Sequence, residues 1–71
     1  MMEKWEYCVV SARKAGNDAS FTIHYEDKSV EPRGNERLAV IGALGKVGWE
    51  LVSVQEISHA MTEYFFKRPR A

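Results

Sequence analysis

Eight large aromatic side chains are spread over the 71 residues, although only one segment has the periodicity of an amphipathic helix. Aromatic and β-branched residues fit a pleated sheet, and the remaining apolar segments are rich in both types. Large apolar residues stand at consecutive positions in these segments, so they project from both faces of each strand. One helix covers only one face of a sheet. The sequence therefore predicts a sheet whose second face needs a cover other than the chain's own helix.

The predicted fold is α+β: a mostly antiparallel sheet of about four strands in the order ββαββ, with one helix packed on one face. The clearest strand is residues 20–26, where apolar and polar side chains alternate. Pro32 and Gly34 predict that no strand continues from there to the helix. The first strand lies beside either the third or the last, and the sequence leaves this order open. The predicted strands are residues 5–12, 20–26, 49–57 and 63–68.

The helix is predicted to begin after an N-cap at Asn35 and to end near residues 44–46, where glycines favour a left-handed turn. One half of its wheel is apolar: Leu38, Val40, Ile41, Leu44 and Val47. The opposite half is small rather than charged. Glycine within a helix is tolerated best where another backbone comes close, so this half predicts a helix contact, the alternative being a surface left in water. The predicted contact residues are Ala39, Gly42 and Ala43.

Size, charge and cysteine usage limit the class of protein. A chain of this length holds one small domain, residues 1–71. The formal net charge is zero, which argues against nucleic acid as a partner drawn by the overall field. Cys8 is the only cysteine, so it forms no intramolecular disulfide and favours a cytoplasmic setting. No apolar run approaches the ~18 residues that span a bilayer, and the first residues lack the apolar centre of a signal peptide.

Three blocks of sequence follow one another along the chain: Trp5-Glu6-Tyr7 with Val9-Val10, Leu44-Gly45 followed by Gly48-Trp49-Glu50-Leu51-Val52-Ser53-Val54, and Tyr64-Phe65-Phe66-Lys67-Arg68-Pro69. Together these blocks resemble domain-of-unknown-function family 4177, a set of small proteins from bacteria and their phages. The resemblance implies a compact one-helix α/β fold and no activity, because none is established for the family. Cys8 stands where the family typically has lysine, and residues 20–27 are an additional strand-like segment.

The predicted function is a non-enzymatic interaction or small-ligand-binding protein that acts as a homo-oligomer, a dimer being favoured. A domain of this size buries only about 60% of its unfolded surface, so self-association supplies burial that one chain lacks. Three interpretations of the open aromatic face compete. A second copy of the chain packs on it, a small ligand binds to it, or its rings simply lie partly exposed at the sheet edge. No cofactor is predicted. The predicted interface or ligand face consists of Trp5, Tyr7, Trp49, Tyr64 and Phe66.

Two other classes of function are compatible with the sequence. A small dimeric α+β barrel enzyme would hold an acid or base, such as His24 or Glu50, in an interior pocket. A regulator of phage or bacterial origin would bind nucleic acid or a host protein, and its basic tail would be Lys67, Arg68 and Arg70. The sequence pattern places no residue beside His24 or His59 that would assist catalysis or metal binding. Cys8 is predicted to be a buried, inert thiol. The sequence therefore assigns no catalytic, cofactor-binding or metal residue.

Overall fold

A computed structural model describes residues 4–70, which form five strands and one helix in the order βββαββ. All neighbouring strands are antiparallel, and their order across the sheet is β3-β2-β1-β5-β4. The first strand is therefore central and lies beside the last. The elements are β1 (Trp5–Ala15), β2 (Asp18–Tyr25), β3 (Val30–Pro32), α1 (Arg37–Lys46), β4 (Glu50–Ser58) and β5 (Met61–Pro69).

The predicted sheet of four strands in ββαββ order with a packed helix is wrong: the protein is mostly a five-stranded antiparallel sheet with one short helix. The additional strand is β3, which contains the proline that was expected to break it. β3 lies at the sheet edge, where a strand has one unpaired side and tolerates proline. Its pairing with β2 continues in two hydrogen bonds, from Phe21 N–H to the Gly34 carbonyl and from Arg33 N–H to the Phe21 carbonyl.

The helix also differs from its prediction in how it packs. Only Val40 and Leu44, one turn apart, are buried, whereas Leu38 is 76% exposed and Val47 is 60% exposed. A helix of ten residues has few turns, and its single buried row is the i, i+4 pair that faces the sheet. The predicted apolar half therefore does not pack as a unit.

The helix ends are confirmed on one side only. The helix ends at Lys46, within the predicted range, and Val47 N–H donates to the Leu44 carbonyl. Its N-cap is Glu36 rather than Asn35, and no side chain forms a capping hydrogen bond there. Gly48 has a φ of 94°, a left-handed conformation that glycine adopts without strain. This turn brings the chain back to the sheet for β4.

The core lies between α1 and one face of the sheet, which we call the helix face. Val10 illustrates the register, since it lies opposite Ile23 of β2 and Tyr64 of β5. The opposite side is the open face, and no helix or second sheet within residues 4–70 packs on it. The buried apolar residues are Cys8, Val10, Phe21, Ile23, Val40, Leu44, Trp49, Tyr64 and Phe66.

Candidate functional site: the open face of the sheet

The five predicted face residues do not share one surface. Trp49, Tyr64 and Phe66 are buried in the core on the helix face. Trp5 and Tyr7 alternate with the buried Cys8 and Val10 along β1, so they lie on the open face, where Tyr7 is 51% exposed. The predicted surface is thus divided between the two sides of the sheet.

Sequence reasoning missed Phe65 as a member of the open face. Among three consecutive aromatic residues at 64–66, the middle ring lies on the face opposite the other two. The register of β5 decides which of the two faces of the sheet that ring occupies. Phe65 lies opposite Val9, whereas Phe66 lies opposite the buried Cys8. Only the pairing of β5 with β1 supplies this information. We define the aromatic patch as Trp5, Tyr7, Val9 and Phe65.

A lysine borders the aromatic patch. Lys67 lies opposite Tyr7 in the sheet, and its Nζ atom is 4.2 Å from the centroid of the Trp5 ring. The same ammonium is 3.9 Å from a carboxylate oxygen of Glu50 on β4. A cation over the face of tryptophan is attracted by the ring quadrupole, so Lys67 holds the Trp5 ring against the sheet.

A depression of about 500 Å³ adjoins the aromatic patch on the same face. It begins at Val9, which belongs to both, and continues along the neighbouring row, in which Ser11 lies opposite Thr22 and Glu63. The row presents hydroxyl groups and a carboxylate beside apolar surface. The remaining lining residues are Arg13, His24 and Met61.

The residues considered for acid–base chemistry are not brought together within one chain. His24 is on β2 and Glu50 is on β4, with β1 and β5 between them. Three strand spacings of about 4.8 Å separate these strands by roughly 14 Å, which is beyond hydrogen-bonding distance. His59 is exposed in the turn between β4 and β5. The described chain therefore forms no imidazole–carboxylate pair from these three residues.

Cys8 is buried at the centre of the sheet, and its environment disfavours the thiolate. Burial raises the pKa of the Cys8 thiol from 9.0 to about 11; the charge of Arg68 lowers it and that of Glu6 raises it, both to a smaller extent. The thiolate is the nucleophilic form of cysteine. Cys8 is thus protonated at neutral pH, in keeping with a structural role.

This shift makes the stability of the protein sensitive to alkaline pH. An unfolded chain releases the Cys8 proton near pH 9.0, whereas the folded protein keeps it until about pH 11. The stabilisation is complete below pH 9.0 and is lost as pH rises through that interval, by at most about 1.4 kcal/mol per pH unit. Urea unfolding across this interval is expected to show a steeper loss for the wild type than for Cys8→Ala. Parallel curves would contradict the burial of the thiol.

The basic residues near the C terminus are engaged with carboxylates. Arg68 Nε donates to a Glu6 carboxylate oxygen over 2.6 Å, and Arg70 forms an ion pair with Glu26 over 2.7 Å. The third, Lys67, faces Glu50 as described. A phosphate would have to compete with these internal partners, so the arrangement does not favour a nucleic-acid surface.

The predicted helix contact faces away from the core. Ala39 and Gly42 are exposed, and Ala43 is half-buried. A methyl group added at Gly42 would meet no other atom within 4 Å. No backbone within residues 4–70 therefore approaches this glycine, and a contact through it with another molecule stays a prediction.

The described part of the chain lacks two kinds of feature. No three His, Cys, Asp or Glu side chains of residues 4–70 are grouped so that they could hold a metal ion. Over the same range, the helix is too short and too polar to cross a membrane. No family model, curated protein or solved structure matches the sequence. The resemblance to family 4177 therefore stays a prediction.

Proposed function

We propose that the protein is a non-enzymatic binding protein whose open face holds a small molecule with a flat apolar part. The observation that carries this proposal is the continuity of the uncovered aromatic patch with the adjoining depression, through Val9. Contiguous apolar surface that a chain leaves uncovered usually marks a binding site. Depressions of about 300–1,000 Å³ with a few convergent polar groups are typical of small-molecule sites.

The two halves of this surface have complementary chemistry. Rings of the aromatic patch offer flat faces on which a planar group stacks. The hydroxyls of Ser11 and Thr22 and the imidazole of His24 offer hydrogen bonds beside it. Arg13 and Glu63 bring charges of opposite sign, so the depression does not select strongly for one ligand charge. The fitting ligand therefore combines a planar apolar group with a hydrogen-bonding group.

The arrangement favours a small ligand over a second sheet stacked on the open face. A stacked copy would also cover the polar side chains of Arg13, Glu63 and His24, and burying polar groups without hydrogen-bond partners is costly. An enzymatic function has less support, because His24 and Glu50 lie on strands three spacings apart and Cys8 holds its proton. A nucleic-acid function has less support because the C-terminal basic side chains face carboxylates.

Titration with 1-anilinonaphthalene-8-sulfonate, a fluorescent probe with flat rings and a polar group, tests the proposal. The wild type is expected to enhance the probe's fluorescence in a saturable way, and Tyr7→Ser is expected to weaken binding about tenfold because it removes a stacking ring. Leu38→Ser is the matched control, because it removes a side chain that is 76% exposed on the helix, away from the open face. Equal binding by the two variants would contradict the proposal.

Native mass spectrometry of freshly purified protein complements the titration. A co-purified small molecule adds mass to the 8.1 kDa chain or to a multiple of it. We expect that added mass to disappear in Tyr7→Ser and to persist in Leu38→Ser. A spectrum in which wild-type copies pair and Tyr7→Ser copies do not would instead support self-association through the open face.

A further inference from the structure

β4 is the longer of the two free edges of the sheet. All nine residues from Glu50 to Ser58 are exposed, and one side of the strand pairs with β5 while no strand within residues 4–70 pairs with the other. The opposite edge, β3, has three residues and ends in proline, two features that prevent further pairing. β4 contains neither proline nor lysine. The two edges of this sheet are thus unequal.

Four of the nine exposed side chains of β4 are aliphatic: Leu51, Val52, Val54 and Ile57. Leu51 and Val54 lie opposite the buried Phe66 and Tyr64, so they belong to the helix face beside the core. They are nevertheless 42% and 52% exposed, because the helix does not cover this side of the sheet. Val52 and Ile57 are exposed to a similar extent.

We propose that two copies of this chain pair their β4 strands in antiparallel fashion about a two-fold axis at Val54, which forms one continuous sheet. An axis normal to the sheet is the one that relates two antiparallel edge strands, so the helix faces of both copies lie on the same side. Val54 of each copy then meets its equivalent on the helix face. Unpaired backbone groups of both edges gain hydrogen bonds, as in other cases of strand addition.

Charge and the positions of the bulges favour an axis at Val54 over an axis at Ser53 or Gln55. β4 carries Glu50 and Glu56 and no basic residue. An axis at Ser53 would place Glu50 opposite Glu56 twice, and like charges directly opposite each other are destabilising. An axis at Gln55 would place Val54 opposite Glu56. An axis at Val54 sets Ser53 opposite Gln55 within the regular part of the strand. It leaves Glu56 opposite Val52, which lies at the register shift outside that part.

The bulges of β4 are compatible with this centre. Pairing with β5 shifts at Val52 and again at Ile57, and the strand is regular at residues 53–56 between them. Bulges shorten the length of edge that can pair, a device that limits open-ended aggregation. Pairing over residues 53–55 of this section gives a closed two-fold dimer rather than a fibre.

This dimer goes beyond the proposed function and leaves the ligand surface free. The aromatic patch lies on β1 and β5, on the side of the sheet that no part of the β4 contact covers. Loss of dimerisation and loss of ligand binding are therefore separate results. A variant of β4 is expected to change the first and not the second.

Sedimentation velocity at micromolar concentration tests the dimer with a matched pair of variants. The wild type is expected to sediment with twice the 8.1 kDa mass of one chain. Val54→Glu adds a carboxylate to a strand that already holds two, and the new carboxylate of one copy faces that of the other. The dissociation constant of the dimer is therefore expected to rise at least about tenfold. Val30→Glu is the control, because Val30 is the same residue type, is 55% exposed and lies on the other edge strand. It is expected to stay dimeric.

Cysteine cross-linking tests the register in a Cys8→Ala background. Directly opposed residues of antiparallel strands have Cα atoms about 4.5–5.5 Å apart, which is within the range for a disulfide. Val54→Cys is therefore expected to form a covalent dimer under mild oxidation much faster than Ser53→Cys. Faster cross-linking of Ser53→Cys would overturn the Val54 register.

Three results would overturn the proposal as a whole. The first is a wild type that sediments as a single chain at micromolar concentration. The second is a dimer that Val54→Glu and Val30→Glu weaken equally. The third is a dimer that both variants leave intact while Tyr7→Ser dissociates it, which would place the interface on the open face. Circular dichroism of each variant confirms that it is folded, as expected for substitutions at half-exposed positions.

Discussion

Phe66→Ala is expected to leave a large part of the protein unfolded at 25 °C, whereas Phe65→Ala is expected to leave it folded. Phe66 is 1% exposed in the core, and its truncation leaves a cavity that costs about 3–5 kcal/mol. A domain of this length has a total stability of about 4–11 kcal/mol, and a small core places it near the lower end. Phe65 is half-buried on the open face, so its loss costs about 1–2 kcal/mol.

Urea unfolding followed by circular dichroism measures both variants against the wild type. The pair is closely matched, because the two residues are neighbours of the same type on the same strand and differ in the face they occupy. Phe66→Leu, which keeps most of the volume, provides a folded variant for a measurable midpoint if Phe66→Ala does not fold. Equal losses for the two alanine variants would contradict the assignment of the two faces.

Arg68→Met is expected to lower the free energy of unfolding by about 2–3 kcal/mol. The Arg68 guanidinium lies 4.2 Å from the Trp49 ring centroid, its Nε donates to Glu6, and its Nη1 donates to the Val47 carbonyl over 3.0 Å. A hydrogen bond to a charged group contributes about 1.5–3 kcal/mol, and a cation over tryptophan adds about 0.5–1 kcal/mol at a partly exposed site. One side chain thus joins β1, β5 and the end of the helix.

Two further variants separate the role of charge from that of geometry. Arg68→Lys keeps the charge but lacks the planar fork, so most of the loss is expected to remain. Arg70→Met breaks an exposed ion pair with Glu26 and is expected to cost no more than about 0.5 kcal/mol. Thermal and urea unfolding give the comparison. A loss for Arg70→Met as large as that for Arg68→Met would show that general charge balance, rather than the Arg68 contacts, carries the effect.

Local patterns predicted the parts of the fold that local chemistry determines. Alternation in residues 20–26 located β2, and the left-handed glycine at the end of the helix marked the turn into β4. The hairpin between β1 and β2 is a tight turn at Gly16, whose φ of 65° suits glycine. In these segments the residue type is sufficient to predict the backbone conformation, and contacts with distant residues are not needed.

Other parts depend on pairing between distant residues and were not predictable in this way. β3 is too short to be recognised from its own residues and exists because β2 offers it a partner. The hydroxyl of Tyr25 on β2 reinforces that pairing by donating to the Glu31 carboxylate over 3.3 Å. Trp49 was assigned to a strand, but it precedes β4, and its N–H donates to the Leu44 carbonyl beneath the helix.

The candidate site shows the same division between local and distant information. The excess of aromatic residues predicted large rings outside the core, and Tyr7 is half-exposed. Which rings lie outside depends on the register of β5 against β1, because consecutive aromatic residues satisfy either assignment. Parity along β1 did contain the signal for the depression, since Val9 and Ser11 share a face with Tyr7.

The pairing of β1 with β5 has a consequence for how the chain acquires its structure. Its register joins Trp5 to Pro69, so the central ladder closes between residues that are far apart in sequence. Such closures are slow compared with a local hairpin, and the β1–β2 hairpin can form much earlier. During synthesis on the ribosome, the backbone groups on one edge of β1 therefore stay unpaired until β5 has emerged. The sheet is completed only after nearly all of the described chain has been made.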